Sequence, residues 1–180
     1  MHDHLHSLGP LAIVVMGVSG SGKSTLGAAL ATEIGCAFLE GDDFHAPEAV
    51  ARMRAGIPLT DEDRWPWLDR LGRALAERLQ AGRVAVAACS ALKKAYRNRL
   101  RMSVPAPVAF AFLDAGPEEL LRRLTHRPHH YMPPSLLDSQ LATLERPQPN
   151  ELAIAVDACR ATADSCKEIL AWLSRLPHSK

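Results

Sequence analysis

The sequence predicts an α/β fold, a five-stranded parallel sheet with helices on both faces. Two observations carry that prediction. Five short apolar runs, at residues 11–16, 36–40, 83–88, 108–113 and 153–157, alternate with segments of helical periodicity, the pattern of parallel strands joined by crossover helices. The first run leads directly into Gly17-Val18-Ser19-Gly20-Ser21-Gly22-Lys23-Ser24 and then into Thr25-Leu26-Gly27-Ala28-Ala29-Leu30-Ala31, so the local order is strand, glycine-rich loop, helix.

That order is the context a phosphate-binding P-loop requires. Glycines at 17, 20 and 22 let the loop take unusual dihedrals and turn its N–H groups inward around an anion. A helix starting near Lys23 adds unpaired N–H groups and the positive end of its dipole. Lys23 supplies a mobile charge for the β- and γ-phosphates of a nucleoside triphosphate, and Ser24 offers a hydroxyl to a nucleotide-bound Mg²⁺. The expected nucleotide-binding set is therefore Gly17, Val18, Ser19, Gly20, Ser21, Gly22, Lys23, Ser24 and Thr25, with Ser24 as the metal ligand.

A chain of 180 residues suits a single domain with a full core and is short for two. Its net charge of +1 argues against nucleic-acid or membrane partners held by bulk electrostatics. The four cysteines, at 36, 89, 159 and 166, show no Cys-x-x-Cys spacing, so reduced thiols and a cytoplasmic setting are expected. The run at 11–16 lacks a basic flank and a cleavage site, which makes it a buried strand, and no segment has the length of a membrane span. A homodimer is left open. Residues 1–9 read as a flexible tail, and the alternating His2, His4 and His6 as part of it rather than as a metal site.

Further along, Gly41-Asp42-Asp43-Phe44-His45 follows the second strand at the sheet edge where ligands of open α/β folds gather. Consecutive residues leaving a strand face opposite sides, so Asp42 should face the P-loop and Asp43 point away. A short helix over 47–56 follows. Thr60 and Asp63 then have the spacing of a capping box, opening a long amphipathic helix to about residue 80 with Arg64 between two indoles at its mouth. Residues 89–101 form a polar turn feeding a basic helix, most of whose charges should face water. Asp114, after the fourth strand, invites comparison with a Walker B acid, but Asp114-Ala115-Gly116-Pro117-Glu118 reads better as a turn and helix start. Residues 122–134, basic and broken by prolines, suit a lid; helices at 135–145 and 164–176 complete the chain. Residues 42–80 would form the substrate side.

Five blocks together resemble the P-loop gluconokinase family. They are residues 17–24, 39–45, 56–68, Cys89-Ser90-Ala91-Leu92-Lys93-Lys94-Ala95-Tyr96-Arg97 and Met132-Pro133-Pro134-Ser135-Leu136-Leu137-Asp138-Ser139-Gln140. Glu40 stands where that family often has Asp, and Ala49 where an Asn commonly follows. The resemblance implies a P-loop kinase that transfers the γ-phosphoryl group of ATP, with Mg²⁺, to the 6-hydroxyl of D-gluconate. It implies catalytic roles for Lys23, Asp42 and Arg127. Asp42, His45, Arg64, Lys93, Arg97 and Gln140 would hold the substrate, and Arg123, four residues from Arg127, would reach the phosphates. A kinase of another small acid, of the shikimate type, would keep the P-loop, Asp42 and Arg64, but the 132–135 block argues against it. A GTPase switch would need an Asn-Lys-x-Asp motif, which the sequence lacks.

Overall fold

The computed structural model describes residues 9–125 and 136–176. Strands β1 (Leu11–Met16), β2 (Ala37–Glu40), β3 (Val84–Ala88), β4 (Val108–Asp114) and β5 (Ala153–Asp157) form one sheet in the order β2-β3-β1-β4-β5. Every neighbouring pair is parallel. The helices are α1 (Lys23–Ile34), α2 (Pro47–Arg54), α3 (Asp61–Ala81), α4 (Lys94–Ser103), α5 (Pro117–Thr125), α6 (Leu136–Thr143) and α7 (Thr162–Leu173), with a 3₁₀ turn at Gly41–Phe44.

The period-two alternation of the central strands sorts their side chains onto two cores. Ala12, Val14, Met16, Phe110 and Phe112 pack with Trp67, Leu68, Leu71 and Leu75 of α3 and with Tyr96 and Leu100 of α4. On the opposite face Leu11, Ile13, Val15, Ala109 and Ala111 pack with Leu26 and Leu30 of α1 and with Ile169 and Leu173 of α7. Burial on both faces explains why these strands read as continuous apolar runs.

Strand order places the site. From β1 the chain crosses by α1 to the β2 edge, whereas from β3 it crosses by α4 to β4 on the other side of β1. The loops leaving the adjacent strands β1 and β3 therefore diverge and open a crevice at the carboxyl end of the sheet, the switch point where such folds bind ligands. The glycine-rich loop and Ser90 flank that crevice, tied by a Gly17 N–H bond to the Ser90 carbonyl at 3.3 Å.

The long helix α3 begins as its sequence predicts. Thr60 Oγ1 accepts from Asp63 N–H at 3.3 Å, and Asp63 Oδ2 accepts from Thr60 N–H at 2.8 Å, closing the capping box. Among the described residues no helix is long and apolar enough to cross a membrane.

Candidate active site

The glycine-rich loop is held open by backbone conformations that suit glycine. Gly17, Gly20 and Gly22 have φ of +148°, +82° and +101°, values that strain any residue carrying a Cβ. Gly22 is the N-cap of α1, no side chain caps the helix, and its first turn holds no acid. The first N–H groups of α1 thus face the crevice as an anion site. Lys23 lies at the first position of α1, with Nζ donating to the Val18 carbonyl at 3.0 Å.

The opposite wall is built by the 3₁₀ turn and α3. Gly41 starts the turn where a Cβ would come within 2.2 Å of the Ala88 carbonyl oxygen, so only glycine lets β2 end this close to β3. Trp67 Nε1 donates to the Gly41 carbonyl at 2.7 Å, and Arg70 Nε to the Phe44 carbonyl at 2.7 Å, so α3 fixes the turn from below. In a 3₁₀ turn residues i and i+3 eclipse. Asp42 and His45 accordingly share the crevice side, with His45 Nε2 4.0 Å from Asp42 Oδ1, while Asp43 is exposed. The separation of Asp42 from Asp43 expected from strand alternation is present, but its cause is the three-residue period of the turn.

His45 stacks on Trp67 with ring centroids 4.2 Å apart. Its side chain is 4% exposed, and burial pushes the imidazole down to about 4, so it is neutral near pH 7. Its Nδ1 is buried without a hydrogen-bond partner among the described residues, while the residue as a whole borders the cavity. Arg64 also lines the cavity. Its Nε donates to the Leu59 carbonyl at 3.4 Å and its guanidinium lies 5.5 Å from the centre of the Tyr96 ring. Among the described residues it has no carboxylate in ion-pair contact.

One cavity joins Ser19, Gly20, Gly22, Lys23, Ser24 and Thr25 to Asp42, His45 and Arg64, with Met53, Pro58, Leu59 and Leu136 as its apolar side. A second hollow, on the other side of the loop, is lined by Ser21, Gly22, Thr25, Arg123, Ala158 and Arg160 among others. Arg123 belongs there. It donates to the Ser21 carbonyl at 3.1 Å and the Ala158 carbonyl at 2.8 Å, and pairs with Glu119 at 2.6 Å. Beside the loop, burial raises the pKa of the Glu40 carboxyl, against the opposing influence of Ser24.

Several expectations need correction. Arg97 is not available to a small acid. Its side chain is fully buried in a bidentate pair with Glu151 at 2.7 and 2.9 Å, and it also donates to the carbonyls of Ala91, Leu92 and Glu145 at 3.1, 3.3 and 3.0 Å. Those bonds hold Ala91 at φ +44° and so set the Ser90 turn. Lys93 spends its charge on both oxygens of Asp61 at 2.8 and 2.9 Å and is not on the cavity wall. Gln140 is on the wall, but its Oε1 accepts from Ser19 N–H at 2.7 Å. The Val18 side chain is buried against Leu120 and Leu137, so Val18 and Gly17 shape the loop rather than line it. Asp114, by contrast, is as expected a turn residue rather than a Walker B acid: it ends β4 in a bidentate pair with Arg146, away from both hollows. Arg127 and the greater part of the expected lid lie outside the described residues.

Sequence reasoning assigned no role to Ser90 or Ser139, both on the cavity wall, although each lies in a block that carried the family resemblance. The Arg97–Glu151 pair yields a direct test. Arg97→Leu strands a buried carboxylate, to which Arg101 remains only at 3.3 Å, and should cost about 3–5 kcal/mol of stability in a denaturant titration at pH 7. Arg97 holds the Glu151 carboxyl down to about 2. Because that pKa lies below the unfolded value, the stabilisation is present above about pH 4.5 and is lost as pH falls toward 2.

The sheet order, the glycine loop at the head of α1 and the cavity facing it define a P-loop kinase. The family described as AAA domain matches residues 13–147. The gluconokinase of Gluconobacter oxydans (strain 621H) is 48% identical over 155 residues, 86% of each chain. The chain belongs to the gluconokinase family. Among solved structures, a gluconokinase from Sinorhizobium meliloti 1021 is similar with TM-score 0.82 and 49% identity, covering 93% of this chain and 94% of that one. An unliganded sugar kinase from Janibacter sp. HTCC2649 is similar with TM-score 0.85 and 48% identity, over 90% and 93%.

Proposed function

We propose that this chain phosphorylates D-gluconate on its 6-hydroxyl, with ATP as donor and Mg²⁺ as cofactor. The observation that supports this most is a single cavity lined by the P-loop, by a carboxylate, Asp42, and by a cation, Arg64. A linear polyol acid presents a primary hydroxyl at one end and a carboxylate at the other, which matches that pair of groups.

The chain's own residues then divide the work. Loop N–H groups from Ser19 to Ser24 and Lys23 hold the β- and γ-phosphates and neutralise charge as the bond to the leaving group breaks. Asp42 orients the attacking hydroxyl and takes its proton as the new O–P bond forms. Arg64 grips the substrate carboxylate in two places. Neutral His45, stacked on Trp67, forms part of the wall against which the substrate packs. The rest of the nucleotide lies in the second hollow beside Arg123, and Arg127 is assigned to the transition-state charge.

The donor set fits a nucleotide-borne cation. Among the described residues no three His, Cys, Asp or Glu side chains cluster as a metal cage, whereas the Ser24 hydroxyl on the cavity wall offers lone pairs to a metal that arrives with ATP. Bound there, Mg²⁺ would polarise the phosphate oxygens. A cytoplasmic setting goes with the reading, all four cysteines being free thiols.

Coupled ADP release with ATP·Mg²⁺ against gluconate, shikimate, nucleoside monophosphates and no acceptor tests the assignment. Gluconate should give the highest kcat/KM, with phosphorus-to-carbon coupling placing the product's phosphate on carbon 6. Turnover with shikimate or a nucleoside monophosphate alone would overturn it.

A further inference from the structure

The bond between Ser19 N–H and Gln140 Oε1, at 2.7 Å, joins residues 121 positions apart and ties α6 to the glycine-rich loop. It is reinforced by apolar packing, since Val18, one residue before Ser19, is buried with Leu137 of α6. Ser19 lines the cavity that holds Asp42 and Arg64 but not the second hollow, whereas Gly22 and Thr25 line both. The tie therefore stands at the end of the loop nearest the acceptor, where the terminal phosphate of a triphosphate has to lie for transfer.

We propose that Gln140 is a positioning residue that reads the phosphorylation state of the nucleotide, its amide oxygen holding the Ser19 N–H until a γ-phosphate oxygen takes that donor. A bond to an ionised phosphate oxygen is shorter and roughly twice as strong as one to a neutral amide, so ATP displaces Gln140 and ADP, lacking the γ-phosphate, does not. The contact thereby opposes ATP binding by the strength of the bond the γ-phosphate must displace, couples that binding to release of α6, and leaves ADP, which does not compete for the Ser19 N–H, unaffected. The proposal rests on the kinase reading given above.

Two variants separate this role from simple support of the loop. Gln140→Met keeps the volume and removes the acceptor. It leaves Ser19 N–H without Gln140 in the empty protein and should tighten a non-transferable ATP analogue by about fivefold relative to ADP, the worth of one net hydrogen bond. Gln140→Glu keeps an acceptor and adds negative charge, so it should weaken the same analogue by about tenfold relative to ADP. Calorimetric Kd values for both nucleotides with Mg²⁺ give the ratio directly. Tighter ATP-analogue binding relative to ADP in Gln140→Met together with weaker relative binding in Gln140→Glu supports the proposal, and the reverse pair of signs overturns it. An unchanged ratio, or displacement in the same direction in both, overturns it. Gluconate turnover is measured on the same wild-type preparation, so failure of the kinase reading shows there and failure of the Gln140 role shows in the binding ratio.

Discussion

Lys23→Ala should lower kcat with gluconate by about 10²–10³-fold, the usual worth of one preorganised group aimed at developing charge. The fold should survive. Lys23 is half-buried at the first turn of α1 and makes a hydrogen bond to the Val18 carbonyl, whose net worth of about 1 kcal/mol is partly offset by the better helix propensity of alanine. Circular dichroism melts and steady-state rates on the same sample distinguish the two effects. A folded variant with unchanged turnover would remove Lys23 from the mechanism and leave the loop N–H groups and the helix terminus to hold the phosphates alone. A variant that loses ATP affinity with kcat unchanged would assign Lys23 to binding in the ground state.

How much of this was legible in the sequence depends on whether the signal is local. The glycine-rich loop and the Thr60–Asp63 box are short-range devices whose residue types and spacing are their mechanism, and both are found where the sequence places them. The strands were legible because burial on two faces leaves uninterrupted apolar runs. Arg97 was misread for the opposite reason. It lies in a helix with Lys94, Arg99 and Arg101, which suggests a solvated face, yet its partner Glu151 is 54 positions away and carries no mark of that pairing. A weaker signal was available, since Tyr96 and Leu100 on the same turn form a buried stripe and Arg97 adjoins it. Gln140 gave no local signal either, because its partner is a backbone N–H. At the Asp42 turn the expected inward and outward directions were right although the backbone is 3₁₀ and not strand, because both geometries separate adjacent side chains.

The same turn sets Asp42 against Asp43 as the largest test of the chemistry. Asp42→Asn keeps the shape and the hydrogen-bonding reach of the side chain but cannot accept the proton of the attacking hydroxyl, so kcat should fall by about a hundredfold or more. ATP binding should change little, since the loop and Lys23 hold the phosphates without it. Asp43→Asn should lose at most a few-fold in kcat. Asp43 is exposed, and α2 begins at an Ala46 N-cap without any side-chain cap, so its stability should also stay within about 0.5 kcal/mol of wild type. The pairing with His45 adds a second readout. His45 shares the crevice side with Asp42 and is neutral near pH 7, so the loss in Asp42→Asn should be the same at pH 6 and pH 8 rather than follow an imidazole titration. A silent Asp42→Asn with a dead Asp43→Asn would mean that substrate binding rotates the turn by one residue. Full activity in both variants would reject a carboxylate base and leave Lys23, the nucleotide's metal and the arginines to carry transfer by positioning and charge alone.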